Sequence, residues 1–127
     1  MSRVMNQLGQ LERLARIKAE GELRRFAAFR AQSQAMAAQI NAARGDLAAA
    51  AAVPVPDLLT QWQMTTAIVG YHAHHLHRAE AEMERLRPGL DAARTAAALA
   101  FGRAEALAEL RRLTIAQDRN DRQRKQE

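Results

Sequence analysis

The sequence predicts an all-α fold, a long antiparallel two-helix coiled-coil hairpin that forms a single domain over residues 1–127. Ala accounts for 29 of the 127 residues, and Leu, Arg, Glu and Gln, also strong helix formers, make up much of the remainder. An uncharged seam with heptad spacing runs through the second half of the chain, and one Pro-rich segment separates it from the first half. Because Ala buries little apolar area, the predicted core is narrow.

The first helix is predicted over residues 3–51. Its later part carries uncharged residues at alternating steps of three and four, namely Phe26, Phe29, Ser33, Met36, Ile40, Ala43 and Leu47. Its earlier part carries Leu8, Leu11, Ala15, Ala19 and Leu23, and this series contains three successive steps of four. Such a series predicts a stutter that locally relaxes the supercoil.

The turn is predicted over residues 52–57. Pro54 and Pro56 each lack a backbone N–H, and each forces the residue before it toward extended geometry. Asp57 follows directly and is predicted to cap the next helix through its carboxylate. The chain therefore leaves one helix, turns, and enters the second within a few residues.

The second helix is predicted over residues 58–118, followed by a frayed basic tail over 119–127. Its seam runs from Trp62 through Thr65, Val69, His72, Leu76, Ala79, Met83, Leu86, Leu90, Ala93, Ala97, Ala100, Ala104 and Leu107. Pro88-Gly89 interrupts this helix, so a three-helix bundle broken at that point is the alternative fold. We favour a kinked but continuous helix because the seam keeps its phase across Pro88.

Folding the chain at the turn places residue i opposite roughly residue 110 − i. On this register Leu8 opposes Ala104 and Leu11 opposes Ala100, while Phe26 opposes the neighbourhood of Met83. Large side chains would then face small ones, which lets two helices pack without voids.

The charges are concentrated at the two ends of the chain. The formal net charge is +5, with +4 in residues 1–30, +3 in residues 111–127 and −2 between them. In a hairpin both basic ends meet. The basic composition permits nucleic-acid binding, but the chain lacks aromatic residues interleaved with the basic ones and any known DNA-binding motif, so nucleic acid is not the favoured partner.

Several functional classes are excluded or disfavoured by the sequence. The chain has no Cys, which removes disulfides and Cys-ligated metals, and no apolar run approaches the length of a membrane span. No signal-like apolar stretch begins the chain, so we expect a cytoplasmic protein without membrane insertion. No catalytic motif is present, and we predict neither enzyme activity nor a cofactor.

All four histidines lie in a seven-residue segment. They are His72, His74, His75 and His77, and on a helix they form two pairs with i, i+3 spacing. Imidazole pairs bind transition metals, but no third ligand is evident nearby. We therefore predict adventitious metal binding at most, and no dedicated metal site.

An antiparallel hairpin of this size with basic free ends resembles the FliJ/YscO family, the central-stalk proteins of type III export ATPases. The resemblance lies in the run Leu8-x-x-Leu11-x-x-Leu14, which continues through Arg16, Glu20, Glu22 and Arg24. It extends to the Ala-rich return helix and the polar C-terminal tail, and so spans nearly the whole chain.

The resemblance implies a non-catalytic stalk or adaptor of a bacterial type III (flagellar) export apparatus. Its basic end would insert into a hexameric export ATPase and couple the ring to the export-gate membrane protein, with export chaperones as further partners. The implied location is cytoplasmic, peripheral to the export apparatus at the inner membrane. The residues expected to bind the ATPase are Arg13, Arg16, Arg24, Arg111 and Arg112. The alternatives are a homo-oligomeric structural coiled coil and a basic helical protein associated with nucleic acid.

Overall fold

The computed structural model describes residues 2–55 and 57–126 and contains two α-helices packed against each other. Helix α1 spans Ser2–Ala51 and helix α2 spans Leu59–Gln126, with no strand in the described residues. The prediction of an all-α helical hairpin is confirmed. Pro56 of the predicted turn and Glu127 of the predicted tail lie outside the described residues.

The bounds of α2 differ from the prediction at both ends. Leu58, not Asp57, precedes the helix, and its carbonyl accepts a hydrogen bond from the Trp62 N–H at 3.0 Å. Helix α2 continues to Gln126, so the segment from residue 119 that was predicted as a basic tail is helical in the structure. Arg122 pairs with Asp118 one turn earlier at 3.6 Å, and the cationic side chains of the last turn suit the negative end of the helix dipole.

Pro88 lies inside α2, so the three-helix alternative is wrong. The dipeptide Pro88-Gly89 reflects packing and not a turn. A Cβ built on Gly89 would lie 2.7 Å from Cε1 of Phe29 and 3.1 Å from its Cζ. Only a residue without a side chain lets the Phe29 ring pack this closely against α2.

The chain forms two compact units, and each unit contains one stretch of α1 and one stretch of α2. The terminal unit comprises residues 2–27 and 91–126, and the turn unit comprises the described residues between 28 and 90. In the turn unit the seam positions from Thr65 to Leu90 are all buried or half-buried, as are those from Phe29 to Leu47. Trp62 is the exception, with 52% of its surface exposed.

The terminal unit is built on small residues. Its core contains Ala19, Ala100 and Ala104, with Ala15 packed against them. The predicted seam holds on α2, where every position from Ala93 to Leu107 is buried or half-buried. Alanine at these positions lets the two helix backbones approach closely, at the expense of apolar area.

The start of α1 follows a different seam from the predicted one. Leu11 and Leu23 are 50% and 45% exposed, whereas Glu12 is buried at 8% exposure. Apart from Gly9, the buried and half-buried residues form an unbroken heptad series, namely Met5, Leu8, Glu12, Ala15, Ala19, Glu22 and Phe26. The predicted stutter is therefore wrong, because the seam keeps its phase by accepting two carboxylates.

The predicted register is displaced by about nine residues. In the terminal unit Glu12 pairs with Arg111, and the Arg94 guanidinium lies 5.7 Å from the centre of the Phe26 ring. In the turn unit the Ser33 hydroxyl donates to the Met83 sulfur at 3.7 Å. Residue i thus faces roughly residue 119 − i. Residues 57–64 are exposed, so that pairing begins on α2 only at Thr65.

Two glycine substitutions test the packing at Gly89. A Gly→Ala change inside a helix contributes about 1 kcal/mol of stability where space allows, and nothing lies within 4 Å of a Cβ at Gly70. At Gly89 the clash with Phe29 opposes that gain, since overpacking costs about 1–3 kcal/mol. We expect Gly70→Ala to raise the free energy of unfolding and Gly89→Ala to lower it by about 1 kcal/mol. Urea unfolding followed by circular dichroism measures both, and stabilisation by Gly89→Ala would contradict the packing.

Candidate partner-binding surface

The terminal unit brings basic side chains from both ends of the chain together. Arg13 and Arg16 lie in the N-terminal part of α1, and Arg111 and Arg112 lie on α2, where Arg111 pairs with Glu12 of α1. All four are exposed, as is Arg24 further along α1. Their backbones belong to long helices, so each guanidinium extends from a fixed position.

Glu12 organises the centre of this surface. Its Oε1 accepts a bond from Arg16 Nη2 at 3.0 Å, and its Oε2 accepts one from Arg111 Nη1 at 3.1 Å. The Glu12 side chain is 11% exposed, whereas those of Arg16 and Arg111 are 65% and 47% exposed. The carboxylate therefore ties α1 to α2 and holds two guanidinium groups at the surface. Charge-assisted bonds of this kind are among the stronger ones in proteins.

A groove of about 130 Å³ lies over this ion-pair cluster and is lined by Gly9, Glu12, Arg13, Arg16 and Arg111. The lining contains three arginines and one carboxylate, so the groove has an excess of positive charge. Planar, always-charged guanidinium groups bind carboxylates and carbonyl oxygens with several hydrogen bonds each. The arrangement is suited to an acidic protein surface.

A second groove of about 290 Å³ lies toward the free ends of the helices. It is lined by Met5, Asn6, Ile115, Asp118, Arg119 and Arg122. The Asp118 side chain is 16% exposed and pairs with Arg122, which resembles the arrangement of Glu12 with Arg16. Both grooves thus combine a shielded carboxylate with exposed arginines.

The structure brings together some of the predicted site residues and not others. Arg13, Arg16 and Arg111 line one groove. Arg112 instead pairs with Glu109 on its own helix at 3.1 Å, and Arg24 lines neither groove. Sequence reasoning missed Glu12 as the residue that holds the cluster. Counting the heptad backwards from Phe26 would have placed it in the seam.

The histidine segment lies in the turn unit. His72 is half-buried in the seam, and His74, His75 and His77 are exposed. The Tyr71 ring lies parallel to that of His75 with centroids 6.4 Å apart, and meets His72 edge-on at 5.3 Å. The described residues contain no group of three His, Cys, Asp or Glu side chains that could hold a metal ion.

Neither a protein-family model nor a curated protein nor a solved structure matches this chain. Among the described residues, neither helix contains a stretch long and apolar enough to cross a membrane.

Proposed function

We propose that the protein is a non-catalytic stalk or adaptor of a bacterial type III (flagellar) export apparatus. On this proposal the terminal unit inserts into the pore of a hexameric export ATPase and couples the ring to the export-gate membrane protein. The protein would then act on the cytoplasmic side of the inner membrane, peripheral to the export apparatus, with export chaperones as further partners. The resemblance to the FliJ/YscO family supplies this assignment.

The observation that supports the proposal most is the groove in which Arg16 and Arg111 pair with Glu12 and Arg13 forms part of the lining. A stalk that binds inside a ring needs a surface whose side chains are held before binding, because ordering flexible arginines on contact would cost affinity. Glu12 holds two of the three guanidinium groups, one from each helix. Their exposed N–H groups are suited to a pore lined with carbonyl oxygens and carboxylates.

The proposed mechanism is a local charge contact. The basic surface steers the terminal unit toward an acidic pore and binds there through guanidinium hydrogen bonds. No step in this role requires bond chemistry by the protein.

Single-cysteine cross-linking tests which unit enters the ring. The chain has no Cys, so one introduced thiol is unique. Gln10→Cys in the terminal unit and Gln63→Cys in the turn unit are both exposed positions on helices. Each variant is labelled with a benzophenone maleimide, mixed with the hexameric export ATPase of the same organism and irradiated. We expect an ATPase adduct from Gln10→Cys and none from Gln63→Cys. An adduct from Gln63→Cys alone, or from neither, would overturn the proposal.

A further inference from the structure

We propose that the turn unit pairs with a second copy of this chain through an apolar patch beside the turn. This turn patch consists of Val53, Val55, Leu58, Leu59 and Trp62, whose exposures lie between 52% and 74%. Five large apolar side chains this exposed within ten consecutive residues form a patch of the kind that marks an interaction site. The proposal is independent of any contact with an ATPase, because that contact is assigned to the terminal unit.

The charge of the segment supports a copy of the same chain as the partner. Residues 47–77 contain a single charged side chain, that of Asp57, in a chain where 26% of residues are charged. A two-fold contact places each patch against itself, so a charged patch would repel its own copy. The grooves of the terminal unit, with their exposed arginines, fail this requirement, and the turn patch meets it.

The shape of the patch also supports a self-complementary contact. A groove of about 250 Å³ lies between Ala50 and Ala51 at the end of α1 and Trp62 and Val69 on α2. Leu58 and Leu59 come one turn before Trp62 in the chain, are 60% and 74% exposed, and are not part of the lining of the groove. A two-fold contact needs both a groove and a projecting side chain on one surface. We assign Leu59 of each copy to the groove of the other.

The groove presents no unsatisfied hydroxyl group to an apolar partner. Thr65 and Thr66 line it, but each hydroxyl donates to a carbonyl of its own helix at 2.9 Å, those of Gln61 and Trp62. Covering the groove therefore leaves these hydroxyls bonded as they are. Burial of a polar group without a partner, the usual penalty of such a contact, is avoided here.

The area of the patch is sufficient for a weak dimer. Full burial of an aliphatic side chain removes about 60–120 Å² from water, and an aromatic one removes about 150–250 Å². At the observed exposures the turn patch offers about 350 Å² of apolar surface in each copy. With a polar rim, two copies would bury about 1,200 Å² in total, the lower limit of stable interfaces. We expect a dissociation constant of about 10 µM.

A membrane surface is the other apolar environment that the turn patch could enter. Segments that bind anionic lipid carry several Lys or Arg beside their apolar residues. Residues 47–77 contain neither Lys nor Arg. The patch therefore lacks the attraction that would bring it to such a surface, and the second copy is the better occupant.

Trp62 is the only tryptophan and lies in the turn patch, so its fluorescence changes when a partner covers the patch. The experiment measures emission and sedimentation equilibrium of the full chain from about 1 µM to about 200 µM, a range that brackets the expected affinity. The test variant is Val55→Gln with Leu59→Gln. The control is Leu14→Gln with Leu113→Gln, which changes two exposed leucines, 64% and 59% exposed, in the terminal unit. Vesicles of phosphatidylglycerol and phosphatidylcholine are added to the dilute wild-type protein as a separate arm.

We expect the wild-type mass to rise toward twice 14.1 kDa with concentration, together with a blue shift of the Trp62 emission. The test variant should weaken association at least about tenfold, and the control variant should match wild type. A wild-type protein that stays monomeric with unshifted emission would overturn the proposal. So would association that survives in the test variant, or a blue shift of the monomer that appears only with vesicles.

Discussion

Replacing Ala19 with Asp is expected to lower the free energy of unfolding by about 3–5 kcal/mol, the usual cost of an uncompensated buried charge. Ala19 is 1% exposed and packs with Ala100 and Ala104, the residues that form the core of the terminal unit. A carboxylate there would lose its hydration, and none of these alanines offers a hydrogen-bond donor in its side chain. Among the described residues of the unit, the buried apolar side chains are all alanines, so little apolar burial is available to offset the loss.

Ala27→Asp is the matched control for this prediction. Ala27 lies on the same helix but is exposed, so the substitution changes the same chemical groups and the same helix propensity without burial. We expect it to cost less than about 1 kcal/mol, the difference in helix propensity. Urea unfolding monitored by circular dichroism measures both variants. Equal losses would show that Ala19 is not in the core of the unit.

The seam of α2 could be predicted from the sequence because heptad spacing acts locally. Each position from Thr65 to Leu107 follows the previous one by three or four residues, and such residues share one face of a helix whatever lies opposite. The same heptad spacing predicted that α2 continues through Pro88. What the sequence did not reveal was the reason for Gly89, since the Phe29 ring that packs on it is 60 residues away in the chain.

The seam at the start of α1 was predicted incorrectly because the most hydrophobic residues were chosen even where they broke the heptad spacing. Leu11 and Leu23 are the more apolar choices, but selecting them required three successive steps of four. The helix instead keeps the heptad and buries Glu12, whose carboxylate is stabilised by Arg16 and Arg111. The stabilising partner comes from the other helix, so the pairing depends on the register.

Glu22 is a second carboxylate in the seam of α1, and it has fewer stabilising contacts than Glu12. Its Oε2 is enclosed and has no hydrogen-bond partner among the described residues. An acceptor enclosed in this way typically costs stability, about 1–3 kcal/mol. Keeping the heptad spacing unbroken in the terminal unit therefore lowers the stability of the unit, and packing along the Ala-rich seam must offset that loss.

Which residues of α1 face which residues of α2 depends on the turn. Sequence patterns predict the conformation of such a turn poorly. Centring the fold on the predicted turn 52–57 assumed that the helices pair from their first residues. In the structure residues 57–64 are exposed and pairing starts at Thr65, which displaces every later pair. The same displacement leaves Leu58, Leu59 and Trp62 exposed, so the apolar patch could not be found by assuming a tight hairpin.

Reversing the charge of two arginines in the terminal unit is expected to abolish the proposed binding to the export ATPase without unfolding the protein. Arg13 and Arg112 are exposed and do not bond to Glu12, so Arg13→Glu with Arg112→Glu leaves the buried carboxylate paired. Arg16 and Arg111 are unsuitable because their loss would strand that carboxylate. Like charges placed at a desolvated contact with an acidic pore cost several kcal/mol, which corresponds to at least a roughly 100-fold loss of affinity.

Arg78→Glu with Arg85→Glu is the matched control in the turn unit. Both arginines are exposed residues of α2, and either double variant lowers the formal net charge from +5 by four units. The two variants therefore experience the same change in long-range attraction, and any difference between them arises from local contact. We expect the helical content of both, measured by circular dichroism, to equal that of wild type.

The affinity of these two variants for the hexameric export ATPase, measured by fluorescence anisotropy at one ionic strength, tests the stalk assignment most directly. We expect the Arg13 and Arg112 variant to bind at least about 100-fold more weakly than wild type, and the Arg78 and Arg85 variant to remain within about threefold. Equal losses of affinity in the two variants would show that the contact is only a non-specific charge attraction. A larger loss in the turn-unit variant, or a wild-type protein that does not bind the ATPase, would contradict the account.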